Sequence, residues 1–356
     1  MKQKLLGMTL NDLKKVVAEA GLPGFTASQI ARWLYVAKVR EIDGMTNISK
    51  AARAALSQKY EVGVTEYSAV QRSADGTKKY LFPVSCSHRL PTLECPEMEE
   101  LEPGAVESVM IPDNGRATLC VSSQSGCRMG CRFCMTGRQG FHGHLSAADI
   151  ISQFIAVDEC NELTNAVFMG MGEPFDNYDN VMKAIEILTS DWGFGWSPKR
   201  ITVSTIGVLP ALRRFLEESR CHLAVSLHNP FPEERLSMMP VQKAWPAREV
   251  IDMIREYDFS GQRRVSFEYT MFEGFNDDKR HADALARLLR GLECRVNLIR
   301  FHSIPDFPYG TSPDFRMEAF RERLSGYGII TTIRASRGED IFAACGLLAG
   351  QHNPKK

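Results

Sequence analysis

No apolar run in the sequence approaches the roughly 18 residues that a membrane-crossing helix needs, which excludes a helical membrane protein. The first ten residues carry Lys2 and Lys4 but no long apolar core and no cleavage site, so they do not read as a secretory signal. Net charge is also missing: 43 Lys and Arg balance 43 Asp and Glu. Whole-molecule attraction to a polyanion is thereby excluded, and only local charge can favour one. There is no internal repeat and no low-complexity tract. Hydrophobic residues make up 44% of the 356, which rules out long disorder and permits one large domain with or without a small one. Ten cysteines without a secretory signal point to a reducing, cytoplasmic setting. Thiols are kept there for metal or chemistry rather than for structural disulfides.

Two patterns divide the chain. Near the start, Thr9-Leu10-Asn11-Asp12 is a capping box ahead of apolar Leu13, Val16 and Val17 at helical spacing, and Gly21 and Pro23 stop that helix. Thr26 to Gln29 starts a second helix, with Ile30, Trp33, Leu34 and Val36. Ser49 caps a third, through Ala51 to Tyr60. Glu66 to Arg72 and Thr77 to Val84 read as a hairpin around Asp75-Gly76. Residues 1–90 are therefore expected to form a small helical accessory domain with a hairpin. Residues 91–116 read as a linker, including the acidic stretch Glu94 to Glu107, and a leading strand.

From Ala117 to residue 348 the pattern is strand, loop, helix, repeated. Strands are expected at Ala117–Ser123, Ala166–Met171, Arg200–Ser204, His222–Leu227, Arg264–Met271, Val296–Phe301 and Ile329–Ile333. Helices are expected near Ser146–Val157, Asn180–Leu188, Leu209–Glu217, Ala247–Tyr257, Lys279–Leu289 and Phe315–Leu324. This is an α/β pattern with a parallel sheet and right-handed crossovers. About six units predict a partial (β/α)6 barrel, more open than the eight-unit form, with its ligand site at the carboxyl ends of the strands. Residues 349–356 read as a frayed tail.

Directly after the first barrel strand comes Cys127-Arg128-Met129-Gly130-Cys131-Arg132-Phe133-Cys134, a C-x3-C-x2-C run. Three thiolates in eight residues can grip one cubane iron–sulfur cluster and leave its fourth iron open to a ligand. The bland alternative is a zinc knuckle completed by His142 or His144. Zinc sites favour two tight halves, whereas here there is one.

The run resembles the signature of radical S-adenosylmethionine (SAM) enzymes. Cys120-Val121-Ser122-Ser123-Gln124-Ser125-Gly126-Cys127, Cys134-Met135-Thr136-Gly137, Gln139-Gly140-Phe141, Met169-Gly170-Met171-Gly172-Glu173-Pro174 and Ala343-Ala344-Cys345-Gly346 resemble, within that group, the RlmN-type dual-specificity RNA methyltransferases. The resemblance spans nearly the whole chain. It implies methylation of C2 of adenine in RNA, at adenosine 2503 of 23S rRNA and adenosine 37 of tRNA, with two SAM molecules used per turnover. By the same resemblance Cys127, Cys131 and Cys134 hold one [4Fe-4S] cluster, whose open iron chelates SAM so that one-electron reduction yields a 5'-deoxyadenosyl radical. Cys345, otherwise read as a buried thiol, is first methylated and then carries the new carbon to C2 as a covalent enzyme–RNA adduct. Cys120, otherwise a core cysteine, resolves the adduct and forms a transient disulfide with Cys345. Glu107, by its surroundings a solvated surface residue, becomes an acid/base residue near the target adenine. Gly172, Glu173, Ser204, Ser226, Leu227 and His228 match the contacts to SAM. His302 stands where the family pattern favours Asn, and a neutral His can still donate or accept.

Local charge agrees with an RNA partner. From Asn114 to Ala148 there is no Asp or Glu, while Arg116, Arg128, Arg132 and Arg138 are present. Lys78, Lys79 and Tyr80 in the hairpin offer a second contact. The arginines also have a duller use, in offsetting cluster and cofactor charge. A one-electron donor and a thiol reductant are implied, no membrane is involved, and a monomer is expected. Two alternatives stay open: a C8-adenine methyltransferase of the antibiotic-resistance type, and a non-enzymatic metal- or cluster-bearing RNA-binding protein.

Overall fold

The structure is a computed structural model and describes residues 2–84, 104–259, 261 and 263–349. Strand β1 (Gln3–Lys4) precedes α1 (Leu10–Glu19), whose first turn is closed by the Thr9–Asp12 capping box. Its buried Leu13, Val16 and Val17 pack towards α2 (Thr26–Ala31), which runs on as a π-helical turn over Arg32–Val36. Ser49 accepts from the Ala52 amide and so caps α3 (Lys50–Lys59), which leads into β2 (Tyr60–Glu61), parallel to β1.

The hairpin falls where Asp75-Gly76 predicts it, as β3 (Ala69–Arg72) and β4 (Lys78–Val84). Its allegiance differs from expectation. Strand β4 pairs antiparallel with β5 (Gly104–Asp113), and β5 with β6 (Arg116–Cys120), so the hairpin extends the main sheet and is not a part of the helical module. The expected linker from Glu94 falls partly outside the described residues. From Gly104 onward it is strand, and Glu107 lies within it.

Next come β7 (Gln124–Gly126), the short helix α4 (Met135–Arg138) and β8 (Phe141–His144). The two strands pair with each other and bracket the cysteine run. Strands this short show no period-two alternation, which is why the sequence reading passed over them. Strand and helix then alternate as α5 (Ala147–Ala156), β9 (Asn165–Phe168), α6 (Tyr178–Thr189), β10 (Ile201–Thr205), α7 (Leu209–Glu218), β11 (His222–Ser226), α8 (Pro232–Met238), α9 (Ala247–Arg255), β12 (Val265–Met271), α10 (Lys279–Leu288), β13 (Arg295–Arg300), α11 (Asp314–Gly326) and β14 (Ile330–Ile333). Every strand expected from Ala117 onward is present, with ends displaced by a few residues.

The main sheet has ten strands in the order β14-β13-β12-β11-β10-β9-β6-β5-β4-β3. From β6 to β14 all neighbours are parallel, and from β6 outward to β3 they are antiparallel. In β12 the buried Val265, Phe267, Tyr269 and Met271 share one face, while Ser266, Glu268 and Thr270 alternate onto the other, where Glu268 and Thr270 line the cavity. The parallel strands therefore deliver their carboxyl ends to one rim, which the cysteine run and the C-terminal loop cover. Among the described residues, no helix is long and apolar enough to cross a membrane.

Candidate active site

The cysteine run is held by backbone hydrogen bonds within itself, to the segment that follows it and to α8. The Cys127 amide donates to the Gly140 carbonyl at 2.7 Å, the Cys134 amide to that of Cys131 at 3.2 Å, and the Arg132 amide to that of Met238 at 3.0 Å. Cys127, Cys131 and Cys134 thereby line one cavity, together with Gly172, Glu173, Ser204, Ser226, His228 and Cys345. Burial pushes Cys127 up to about 12 and raises Cys131 and Cys134 as well. Thiols kept neutral by burial bind as thiolates only when a cation takes the place of the proton. Among the described residues, no three His, Cys, Asp or Glu side chains meet as a single ion requires. A cubane asks for wider spacing, because each thiolate takes a different iron.

At the end of β9, Gly172 has φ 98°, and a Cβ there would come within 2.5 Å of the Gln124 Cβ, so the turn admits only glycine. This places Glu173 against β10, 4% exposed, where its carboxylate accepts from the amides of Phe175 (3.1 Å) and Ile206 (3.0 Å). Burial outweighs these bonds and raises its pKa to about 7. His228 follows β11 at φ 57°, a strained position for a residue with a side chain. Its Nδ1 accepts from the Thr270 amide at 2.9 Å, which assigns the proton to Nε2. Burial, reinforced by the charge of Arg235, lowers it to about 3, so the ring stays neutral. It packs edge-on against Phe133 at 4.9 Å between ring centroids.

Cys345 is exposed on a C-terminal loop that is anchored along its length. The Met135 amide donates to Gly346 O (2.8 Å), Thr136 Oγ1 to Leu348 O (2.7 Å) and Gln139 Nε2 to Ala349 O (2.5 Å). Further back, the hairpin tip holds the same loop. Ser73 Oγ donates to Asp340 Oδ1 at 2.5 Å, and the Gly338 amide donates to Asp75 Oδ2 at 3.0 Å. Gly338 has φ 63°, and a Cβ there would meet that of Ala343 at 2.8 Å.

Four expected site residues lie off the cavity wall. Cys120 is buried at the end of β6, with a pKa pushed up to about 12 first by burial and then by the neighbouring Cys345 thiol. Leu227 is fully buried, and His302 Nε2 lies 3.0 Å from Ser336 Oγ. Glu107 corrects the expectation drawn from its acidic surroundings. It is 2% exposed, pairs with Lys79 Nζ at 2.9 Å and accepts from the Ala349 amide at 2.7 Å. The same pair corrects the hairpin contact expected for RNA. Lys79 is occupied by Glu107, Lys78 pairs with Asp158 and Glu159, and Tyr80 is fully buried and donates to Glu159.

The arginines of the cysteine loop are better placed. Arg116 and Arg132 are exposed, Arg128 stacks 4.0 Å over Phe141 while pairing with Asp176, and Arg138 binds the Pro305 carbonyl. Sequence reasoning missed Glu268, on the cavity wall in β12, which accepts from Asn297 Nδ2 (2.8 Å) and pairs with Arg334 Nη1 (3.5 Å). A lone carboxylate inside the apolar run Val265–Met271 was the available signal.

Residues 121–285 match the model of the radical SAM superfamily, and residues 3–62 match the ribosomal RNA large subunit methyltransferase N-terminal domain. A probable dual-specificity RNA methyltransferase RlmN from Porphyromonas gingivalis is 58% identical over 345 residues, 97% of this chain and 96% of that protein. The dual-specificity RNA methyltransferase RlmN of Syntrophus aciditrophicus is 38% identical over 97% of this chain and 95% of its own. The chain belongs to the RlmN family of radical SAM RNA methyltransferases. A crystal structure of a radical SAM methyltransferase from Sphaerobacter thermophilus superposes with a TM-score of 0.87 at 37% identity, covering 98% of this chain and all of that one. Membership of the RlmN family implies a [4Fe-4S] cluster and SAM, and the three thiols on one cavity wall fit the first.

Proposed function

We propose that this protein methylates C2 of adenine in 23S rRNA and tRNA, in the cytoplasm, through a methylated Cys345. The observation that carries this reading is the placement of Cys345. It is exposed, shares one cavity with Cys127, Cys131 and Cys134, and has the buried Cys120 beside it. C2 of adenine is electrophilic and has no acidic proton, so direct methyl transfer has no nucleophile to use, and a protein-borne carbon answers that difficulty.

Cys127, Cys131 and Cys134 would hold the cluster, and Glu173, with Gly172, Ser204, Ser226 and His228, would hold SAM. Bound together, these groups supply a methyl group from one SAM and a carbon radical from a second. Cys345 would carry the methyl carbon on Sγ; that carbon would lose one hydrogen atom to the SAM-derived radical and join C2, and loss of the C2 proton to solvent and of one electron back to the cluster would leave a thioether between enzyme and base. Cys120 Sγ then attacks Cys345 Sγ. The S–C bond breaks, its electron pair stays with carbon, a proton completes the methyl group, and the S–S bond remains for a thiol reductant. Burial of Cys120 keeps its thiol protonated and out of reach of solvent until then. Glu107, held by Lys79 and the Ala349 amide, fixes the end of the loop that carries Cys345. Exposed Phe342, at φ 53° three residues before Cys345, offers a stacking face to an unstacked adenine. Arg116 and Arg132 are exposed to a phosphodiester backbone.

Mass spectrometry of nucleosides from RNA treated with the reconstituted enzyme tests the reading. It is expected to show 2-methyladenosine. A product methylated only at C8 would replace the proposal with the antibiotic-resistance chemistry, and no methylated base at all would remove both.

The raised pKa of Glu173 adds a pH signature. The ionised carboxylate pairs with the SAM ammonium group far more strongly than the neutral acid does. Its ionised fraction falls as pH drops through about 7, so SAM affinity of the cluster-loaded protein is expected to weaken about tenfold per pH unit below that point. In Glu173→Gln protein the affinity is expected to be lower and flat over the same range. Equilibrium binding between pH 6 and 8 measures this, and a flat profile for the unaltered protein would contradict it.

A further inference from the structure

Arg235, in α8, is 1% exposed and is among the largest fully buried side chains of the molecule. Its guanidinium donates to the carbonyls of Leu227 (3.0 Å), Ser226 (3.2 Å) and Ile206 (3.4 Å), and to Gln242 Oε1 (2.6 Å). All four acceptors are neutral. Buried cations are ordinarily paired with an anion, because dipoles alone compensate poorly for lost hydration. Among the described residues, no carboxylate forms an ion pair with Arg235.

The surroundings show where the missing negative charge belongs. Ile206, Ser226 and Met239 line the same cavity as Cys131. The carbonyl of Met238, the last residue of α8, receives the Arg132 amide from within the cysteine run at 3.0 Å. A dipositive cubane held by three thiolates is a monoanion, and its one-electron reduced form is a dianion. A fixed positive charge nearby stabilises the dianion more than the monoanion, by Coulomb attraction in a low-dielectric setting.

We propose that Arg235 is the built-in counter-cation of the iron–sulfur cluster and raises its reduction potential. The reaction concerned is the addition of one electron to the cluster, with an external low-potential electron carrier oxidised by one electron. Arg235 acts through charge alone. It touches neither RNA nor a reacting atom. The inference rests on the assignment of Cys127, Cys131 and Cys134 as cluster ligands.

The test is an EPR-monitored redox titration of anaerobically cluster-loaded protein, without SAM and independent of turnover. Gln242→Glu leaves Arg235 and its hydrogen bonds in place but supplies the missing carboxylate. It is expected to shift the reduction equilibrium at least tenfold towards the oxidised cluster, about 59 mV for one electron. Arg235→Gln is expected to shift it the same way, and Arg235→Lys, which keeps the charge, far less. Full cluster occupancy with an unchanged potential in Gln242→Glu would overturn the proposal, as would a fall in Arg235→Lys equal to that in Arg235→Gln. If Arg235→Gln folds poorly, Gln242→Glu still decides. Failure of the unaltered protein to take up a cluster is a different result, and it would overturn the ligand assignment instead.

Discussion

Cys345→Ala protein is expected to make no methylated RNA, a loss of at least about a thousandfold, while still folding and still binding its cluster. The loop around residue 345 is held by groups that the substitution leaves alone. The Met135 amide keeps Gly346 O, Gly338 O keeps the Ala343 amide at 2.9 Å, and Asp75 and Asp340 keep their partners in the hairpin tip and loop. Only the sulfur that carries the new carbon is lost. The companion variant, Cys120→Ala, has the opposite signature. The carbon still reaches the base, but the S–C bond has no thiol to break it, so RNA stays attached. Denaturing electrophoresis is expected to show a slow-migrating species that ribonuclease destroys. Normal product from Cys345→Ala, or free methylated RNA without adduct from Cys120→Ala, would remove the two-cysteine route. The exposed position of one thiol and the burial of the other match the order of their tasks.

The second large effect is on stability. Lys79→Met is expected to destabilise the protein by about 3–5 kcal/mol, because it removes the Lys79 side of a buried ion pair with the Glu107 carboxylate. The two side chains are 6% and 2% exposed and 2.9 Å apart, so water cannot take over the role of Lys79. The double variant Lys79→Met/Glu107→Leu is expected to recover much of the loss, since an apolar pair needs no compensation. Urea unfolding midpoints of the two variants measure this. A loss below about 1 kcal/mol for Lys79→Met would show that the pair behaves like a surface ion pair. Methylation by Lys79→Met is also expected to fall, because Glu107 Oε2 anchors the Ala349 amide four residues beyond Cys345.

Local signals were legible wherever a single stretch of chain decides the outcome. The capping box at Thr9 forms as written, Ser49 caps its helix, and the helix expected near Ser146 is present. The alternation from Ala117 becomes a parallel sheet, and the three-cysteine run lands at its carboxyl rim. What stayed hidden depends on register between distant strands. In the β4–β5 ladder Lys79 lies opposite Val109 and Leu81 opposite Glu107, so Lys79 and Glu107 are diagonal neighbours on one face. Neither the acidic context of Glu107 nor the basic context of Lys78 and Lys79 contains that pairing. The hairpin likewise carries no local mark of whether it stays with the helices or joins β5. Arg235 and Glu268 were missed for a related reason. Glu268 shows that it needs a partner without showing which one, and Arg235, directly after Glu233 and Glu234, reads locally as a solvated helix charge.

The most direct test of the account is the metal content and SAM response of protein reconstituted anaerobically with iron and sulfide. Roughly four irons and four sulfides per chain are expected, with a reduced-cluster EPR signal that changes when SAM is added, since one iron is left open by three thiolates. A single zinc per chain, or a cluster whose signal ignores SAM, would contradict it.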